Sequence, residues 1–180
     1  MLRITEKILI HQVKSGREFA FTKFYDLYRD KIYRFIYFKV SDEEKANDLT
    51  NETFLKIFNY LKEEGEIENF QAFLFKIARN LIIDFYRTRQ NDLSLDEAIE
   101  IAAPQETEKQ LDQKMAIDNI KKYLSLLKPE YREVVEFHFF QGLSFKEIAE
   151  IIGEKESNVR QRAHRGLDKL KEILKDKEAK

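Results

Sequence analysis

The sequence has no cysteine, 2 prolines and 5 glycines among its 180 residues. Without cysteine there is no disulfide framework and no thiolate metal site. The three histidines, His11, His138 and His164, are too scattered to suggest a zinc cluster, so neither a metal nor any other cofactor is expected. Turn residues are too sparse for an all-β sandwich, which needs Gly- and Pro-rich turns every ten or so residues. Long apolar runs are missing as well, since nothing approaches the ~18 to 20 consecutive apolar residues of a membrane span. The N-terminal stretch MLRITEKILIHQVKSG carries charges through what would be the apolar part of a signal peptide. The expectation is a cytoplasmic chain with no membrane insertion. What remains is 43% apolar and 36% charged residues, the composition of helical globular material able to form one medium core or two small ones.

The formal net charge of -1 is unevenly spread. Residues 1–90 hold 16 Lys+Arg against 14 Asp+Glu, residues 91–118 hold 2 against 8, and residues 119–180 hold 14 against 11. Two mildly basic blocks flank an acidic stretch, a weak pointer to anionic partners because local clustering attracts phosphate.

Periodicity supplies the organisation. From Glu18 to Val40 the positions Phe21, Phe24, Tyr25, Tyr28, Ile32, Phe35 and Ile36 recur at three- and four-residue steps on one helix face. Ser41 and Asp42 interrupt, and a second helix buries Ala46, Leu49, Thr53, Phe54, Ile57 and Leu61, with Asp42, Glu43 and Glu44 at its dipole-positive start. A polar loop, Glu63 to Asn69, leads to a third helix from about Phe70 to Arg89 with Phe70, Phe73, Leu74, Ile77, Leu81 and Phe85 in one stripe. Asn91 to Thr107 loses periodicity, contains Pro104 and is acidic, as a linker would be. Beyond it come a helix around Leu111 to Leu127, a helix opened by Pro129 and closed by Gly142, and two further helices, Ser144 to Ile152 and about Glu156 to Leu174. The expected fold class is all-α, with two small helical domains (1–90 and 111–180) joined by an acidic linker (91–110).

The last two helices carry the spacing of a helix-turn-helix. Counted from Phe145, Ile148 and Ala149 are fourth and fifth, Ile152 and Gly153 eighth and ninth, and Val159 fifteenth. A small residue at Ala149 allows a close helix crossing, Gly153 permits a left-handed turn, and Val159 packs back between the helices. Ser144 and Glu147 form a capping box. Glu154 and Lys155 stand where such turns place an apolar residue and a Ser or Thr cap, which moves the expected helix entry toward Ser157. Ser157, Asn158, Arg160, Gln161, His164 and Arg165 then face outward, residue types that read guanine and adenine in the major groove.

Taken together, DLTNETFLKIF, FQAFLFKIARNLIIDFYR, LKPEYREVVEFHFFQGLSFKEIAEIIG and VRQRAHRGLDKLKEIL resemble regions two and four of a bacterial RNA polymerase sigma factor of the sigma-70 family, extracytoplasmic-function type. The resemblance implies that the helix bearing Asp48, Asn51, Glu52 and Phe54 docks on core RNA polymerase, with Asn51 in place of the family's usual Gln. It implies that the loop after that helix, with Phe73, Lys76, Arg79, Asn80, Arg87 and Arg89, captures the melted minus-ten strand of promoter DNA. A base can be read from its Watson–Crick edge only after it leaves the stack, which calls for a basic surface with aromatic platforms or pockets. Phe73, where the family commonly has Trp, equally suits a core aromatic, and Asp48 and Glu52 equally suit a solvated face. Asp92, Asp96, Glu97, Glu100, Glu106 and Glu108 would line a path later taken by RNA, or simply solvate the linker. About 20 extended residues span roughly 65 Å, enough for one chain to grip two separated promoter elements. The C-terminal helix-turn-helix would bind the minus-thirty-five element, and an anti-sigma factor is a further candidate partner. The implied function is a sigma factor that directs core polymerase to promoters and helps melt them.

The alternative is a free-standing helix-turn-helix regulator, which explains residues 129–174 and leaves the first domain without a role. An enzyme is not expected: there is no metal-ligand cluster, no Gly-rich phosphate loop and no nucleophile motif, so no small-molecule substrate is assigned.

Overall fold

The computed structural model describes residues 2–15, 17–63, 65–92, 120 and 122–178, and its elements among these residues are all helical. The chain forms two compact units, one carried by residues up to Asp92 and the other by the C-terminal helices.

The first unit comprises α1 (Leu2–Lys14), α2 (Glu18–Val40), α3 (Glu43–Lys62) and α4 (Phe70–Asp92). The α2–α3 junction forms where the sequence reading put it. Ser41 takes a left-handed conformation with φ 55° and donates its N–H to the Tyr37 carbonyl, while the Asp42 side chain accepts from the Lys45 N–H at 3.0 Å. Such an N-cap contributes about 1 kcal/mol. All six residues expected on the inner face of α3 are buried, together with Thr50. The Thr50 and Thr53 hydroxyls donate to the carbonyls of Ala46 and Leu49 at 2.6 and 2.7 Å, so neither buried oxygen is orphaned.

Aromatic rings fill the space between the helices. Phe24 stacks on Phe70 with centroids 4.3 Å apart, and Phe35 meets Phe75 edge-on at 5.2 Å. Burying each such ring stabilises the fold by roughly 1.5–3 kcal/mol. The helix α1, which the sequence reading did not anticipate, completes this core by burying Leu9 and Val13 against α2 and α3. At the other end α4 runs to Asp92, past the expected start of the linker at Asn91. Residues 93–119, with most of that linker and the first part of the helix expected over 111–127, lie outside the described residues; 120 and 122–125 are helical.

The second unit contains α5 (Pro129–Val135), α6 (Phe145–Ile152) and α7 (Glu156–Glu178). Pro129 occupies the first turn of α5 as expected, where its missing N–H costs nothing. Arg132 reaches back from this helix to the carbonyls of Leu124, Ser125 and Leu127 at 2.9, 2.9 and 3.0 Å. A single guanidinium thus satisfies three carbonyls at the end of the preceding helical segment.

The sequence predicted one continuous helix up to Gly142. Instead, Glu136–Phe140 winds as a π-turn, with the Gln141 N–H on the Glu136 carbonyl at 3.3 Å. The wider winding brings His138 Nδ1 to 2.7 Å from the Leu143 carbonyl and stacks its ring on Phe145 at 4.3 Å. Gly142 then closes the segment with φ 69°.

The capping box at the start of α6 is complete: the Glu147 N–H donates to Ser144 Oγ at 3.3 Å and the Ser144 N–H donates to Glu147 Oε2 at 2.8 Å. Gly153 turns the chain at φ 76°, a backbone that L side chains rarely adopt, and Val159 is fully buried beyond it. In mid-α7, Gly166 lies so close to α5 that a Cβ there would meet Val135 Cγ2 at 2.8 Å.

Candidate polymerase and DNA interfaces

On α3, Asp48, Asn51 and Glu52 are exposed on one face, one helical turn apart. Lys45 and Lys56 approach the two carboxylates at 3.7 and 3.5 Å, solvent-exposed pairs worth a few tenths of a kcal/mol that a partner can displace. Asn51 is held more firmly, because Tyr25 Oη on α2 donates to its Oδ1 at 3.1 Å. A neighbouring bridge runs from Arg29 to Asn47 at 3.1 Å. Hydrogen bonds to Asp30 and Tyr25 raise the pKa of Arg29 further above its already high value, so this bridge stays charged.

Phe54 does not belong to this surface. It is 2% exposed, with its ring centroid 4.8 Å from Tyr25 and 6.4 Å from Phe21, so a docking partner cannot touch it without opening the core. The apolar group that shares the face is Leu55, 58% exposed, which sequence reasoning missed.

On α4, Phe73, Lys76, Asn80 and Arg87 follow at steps of three, four and seven, which aligns them along one side of the helix. Lys76, Asn80 and Arg87 are exposed, Arg87 pairing with Asp84 at 3.1 Å, while Arg79 and Phe73 are half-buried. The backbone of Arg89 continues α4; its side chain lies outside the described residues. The Phe73 ring rests against Tyr60 at 4.7 Å, a partner that the sequence stripe did not reveal because it sits near the end of α3.

On α7, all six residues expected to face DNA, Ser157, Asn158, Arg160, Gln161, His164 and Arg165, are exposed. The helix begins at Glu156, the start expected from the periodicity and one residue ahead of Ser157, and the Asn158 and Val159 N–H groups bond to the Lys155 carbonyl. Glu154 has a different use: its carboxylate holds Arg162 at 2.8 Å across the turn, each side chain 30% exposed. Arg162 therefore braces the turn, and Lys169 pairs with Glu172 at 2.7 Å. Arg160 is drawn to Glu156 at 2.7 Å and lies 5.3 Å from the centre of the Phe145 ring. Glu156 is thus a member of this surface that sequence reasoning passed over. Among the described residues no group of His, Asp and Glu could hold a metal ion.

Residues 24–91 match the family model of sigma-70 region 2, and residues 117–170 match that of sigma-70 region 4. The RNA polymerase sigma factor SigZ of Bacillus subtilis is 32% identical over 150 residues, which cover 83% of this chain and 84% of SigZ. The chain belongs to the sigma-70 family of RNA polymerase sigma factors. Its two-region build is that of the extracytoplasmic-function sigma factors, among them SigW of Bacillus subtilis, 29% identical over 93% of this chain and 95% of SigW. BldN of Streptomyces coelicolor, of the same type, is 31% identical over 93% of this chain, which spans 65% of BldN's length.

Two solved structures share the fold. CnrH, in complex with the cytosolic domain of CnrY, superposes with a TM-score of 0.75 at 22% identity, covering 96% of this chain and 98% of that one. RpoE of Bartonella quintana, in complex with the anti-sigma factor NepR, gives a TM-score of 0.65 at 25% identity over 86% of this chain and 96% of that one. In this sigma factor, region 2 spans most of α2 and all of α3, together with nearly all of α4; region 4 spans α5, α6 and most of α7. No described helix is long and apolar enough to cross a membrane.

Proposed function

We propose that this sigma factor binds core RNA polymerase through Asp48, Asn51 and Glu52, with Leu55 beside them, and carries the enzyme to promoters that it grips at two places. Region 4 takes the minus-thirty-five element in the major groove through Ser157, Asn158, Arg160, Gln161, His164 and Arg165. Region 2 takes the opened minus-ten strand through Phe73, Lys76, Arg79, Asn80, Arg87 and Arg89. The domain limits in this reading are 1–90, 91–110 for the linker and 111–180.

The observation that carries the reading is the joining, in one chain, of a region 2 match with a helix-turn-helix whose second helix exposes a continuous row of basic and amide side chains. In this role the protein is a transcription initiation factor that performs no catalysis of its own, since polymerase makes the phosphodiester bonds. Its place of action is the cytoplasm, where polymerase and chromosome are. RpoE, solved with its anti-sigma factor, supports an anti-sigma partner for this chain also.

The test is reconstitution. The purified chain should co-elute with core polymerase and support promoter-specific initiation. Tight, salt-insensitive binding to one operator by the chain alone, with no effect on core polymerase, would instead mean a free-standing regulator, because a few phosphate contacts give weak binding that falls steeply with salt.

A further inference from the structure

The loop that joins α3 to α4 has few turn residues of its own, yet it is fixed at both ends and in its middle. At the start, the Gly65 N–H donates to the Tyr60 carbonyl at 3.1 Å. At the end, Asn69 caps α4 by accepting the Ala72 N–H on its side chain at 3.1 Å and the Phe73 N–H on its carbonyl at 3.0 Å. Between them Tyr60 does the fixing. Its hydroxyl donates to the Glu66 carbonyl at 3.2 Å, its ring packs on Phe73 with centroids 4.7 Å apart, and the same ring lies over Gly65. A Cβ on Gly65 would fall 2.2 Å from Tyr60 Cε1 and 2.5 Å from Cδ1 and Cζ. A side chain at 65 would therefore have to displace the Tyr60 ring.

We propose that Tyr60 is the positioning residue of the strand-capturing surface: its ring, seated on Gly65 and Phe73, sets where residues 65–69 stand relative to Lys76 and Asn80. The inference rests on the reading of α4 as the surface that takes the opened strand. Geometry gives it an asymmetry that a general stability role lacks. Tyr60 and Gly65 compete for one volume, so the harm done by a methyl at 65 exists only while the ring is present.

The experiment is a double-mutant cycle in the full chain with core polymerase. The DNA is a promoter recovered by the wild-type holoenzyme from a randomised library, and permanganate reactivity of unpaired thymines reports opening. Gly65→Ala should reduce opening by about tenfold or more, because displacing recognition groups by an ångström is costly. In a Tyr60→Ala background the same substitution should change opening by less than about twofold. Tyr60→Phe, which keeps the ring and loses the bond to Glu66, should stay within about fivefold of wild type. Affinity for core polymerase and thermal midpoint serve as controls and should hold in Gly65→Ala. An equal loss from Gly65→Ala in both backgrounds, or a loss matched by the fall in core affinity or midpoint, would overturn the proposal. Lys76→Ala with Asn80→Ala separates the two levels. If that pair opens promoters normally, the strand-capture reading fails and the inference with it; if the pair is impaired while the cycle is additive, the inference alone fails.

Discussion

Replacing Arg160 by alanine removes a side chain that already has partners in the free protein, and the size of the effect follows from what those partners are worth. Its bond to Glu156 at 2.7 Å joins two exposed groups one turn apart, so it contributes only about 0.3–0.5 kcal/mol. The Phe145 ring beneath it adds about 0.5–1 kcal/mol at an exposed site. A bidentate contact to guanine discriminates by about 1–3 kcal/mol, enough to draw the guanidinium away from both in most of that range. Since 1.4 kcal/mol is about a factor of ten, Arg160→Ala should lower transcription from the preferred promoter by roughly 5- to 140-fold, with preference relaxed at one position of the upstream element. Glu156→Ala should change activity by less than about threefold, because it releases only the weaker pair. The measurement is transcription from a saturation-mutagenised promoter library by each variant with core polymerase, with Lys169→Ala as the comparison for phosphate-type loss. A uniform loss for Arg160→Ala, with the preferred base unchanged everywhere, would refute base reading by this side chain.

Asp48→Arg combined with Glu52→Arg should abolish association with core polymerase by size-exclusion chromatography while leaving the circular dichroism spectrum intact, since both groups are exposed. Phe54→Ala should instead cost about 3–5 kcal/mol of stability in denaturant titration, and any polymerase defect should disappear when the folded fraction is corrected for. Tyr33 titrates late because burial raises its pKa, helped by the negative charge of Glu43. The folded state therefore holds this proton more tightly than the unfolded chain, so the associated stability is full below the unfolded value of about 10 and drains away as pH rises through the folded one. Tyr33→Phe should flatten the alkaline limb of the stability profile; an unchanged limb would remove Tyr33 from that role.

Much of the fold was legible because helix stripes and caps are local. The inner face of α3, the Asp42 cap, the Ser144–Glu147 box, the left-handed Gly153 and the buried Val159 all follow from spacings of three, four or nine residues. What escaped depends on distant packing. The helix α1 buries only Leu9 and Val13 fully among its described side chains, too narrow a stripe to announce itself among charges, and it is stabilised by α2 and α3. Phe54 was legible as an inward residue from the helix period, and it is its burial against Tyr25 and Phe21 that removes it from the docking face the family resemblance implied. The π-turn at Glu136–Phe140 offered no composition signal, and the contacts of His138 with Leu143 and Phe145 that go with it form only in the folded chain. Within the candidate sites, exposure of the α7 row could be read from period alone, whereas the Tyr60 ring over Gly65 needed the loop to be closed in space.

The near contact between α5 and α7 ties together the mutational histories of Val135 and Gly166, far apart along the chain. Val135 branches at Cβ and thereby plants a methyl 2.8 Å from where any side chain at 166 must begin, with Tyr131 Cβ, one turn earlier on α5, 3.3 Å away. A lone change from glycine to alanine at 166 has to push a helix or twist a stiff rotamer. Once 135 mutates to a residue unbranched at Cβ, that methyl is withdrawn, and the helix propensity of alanine at 166, better by roughly 1 kcal/mol, is set against only the remaining contact with Tyr131. Order therefore matters in the drift of this domain: changing buried Val135 first costs core packing but clears the place of a side chain at 166, whereas the reverse path meets the methyl directly.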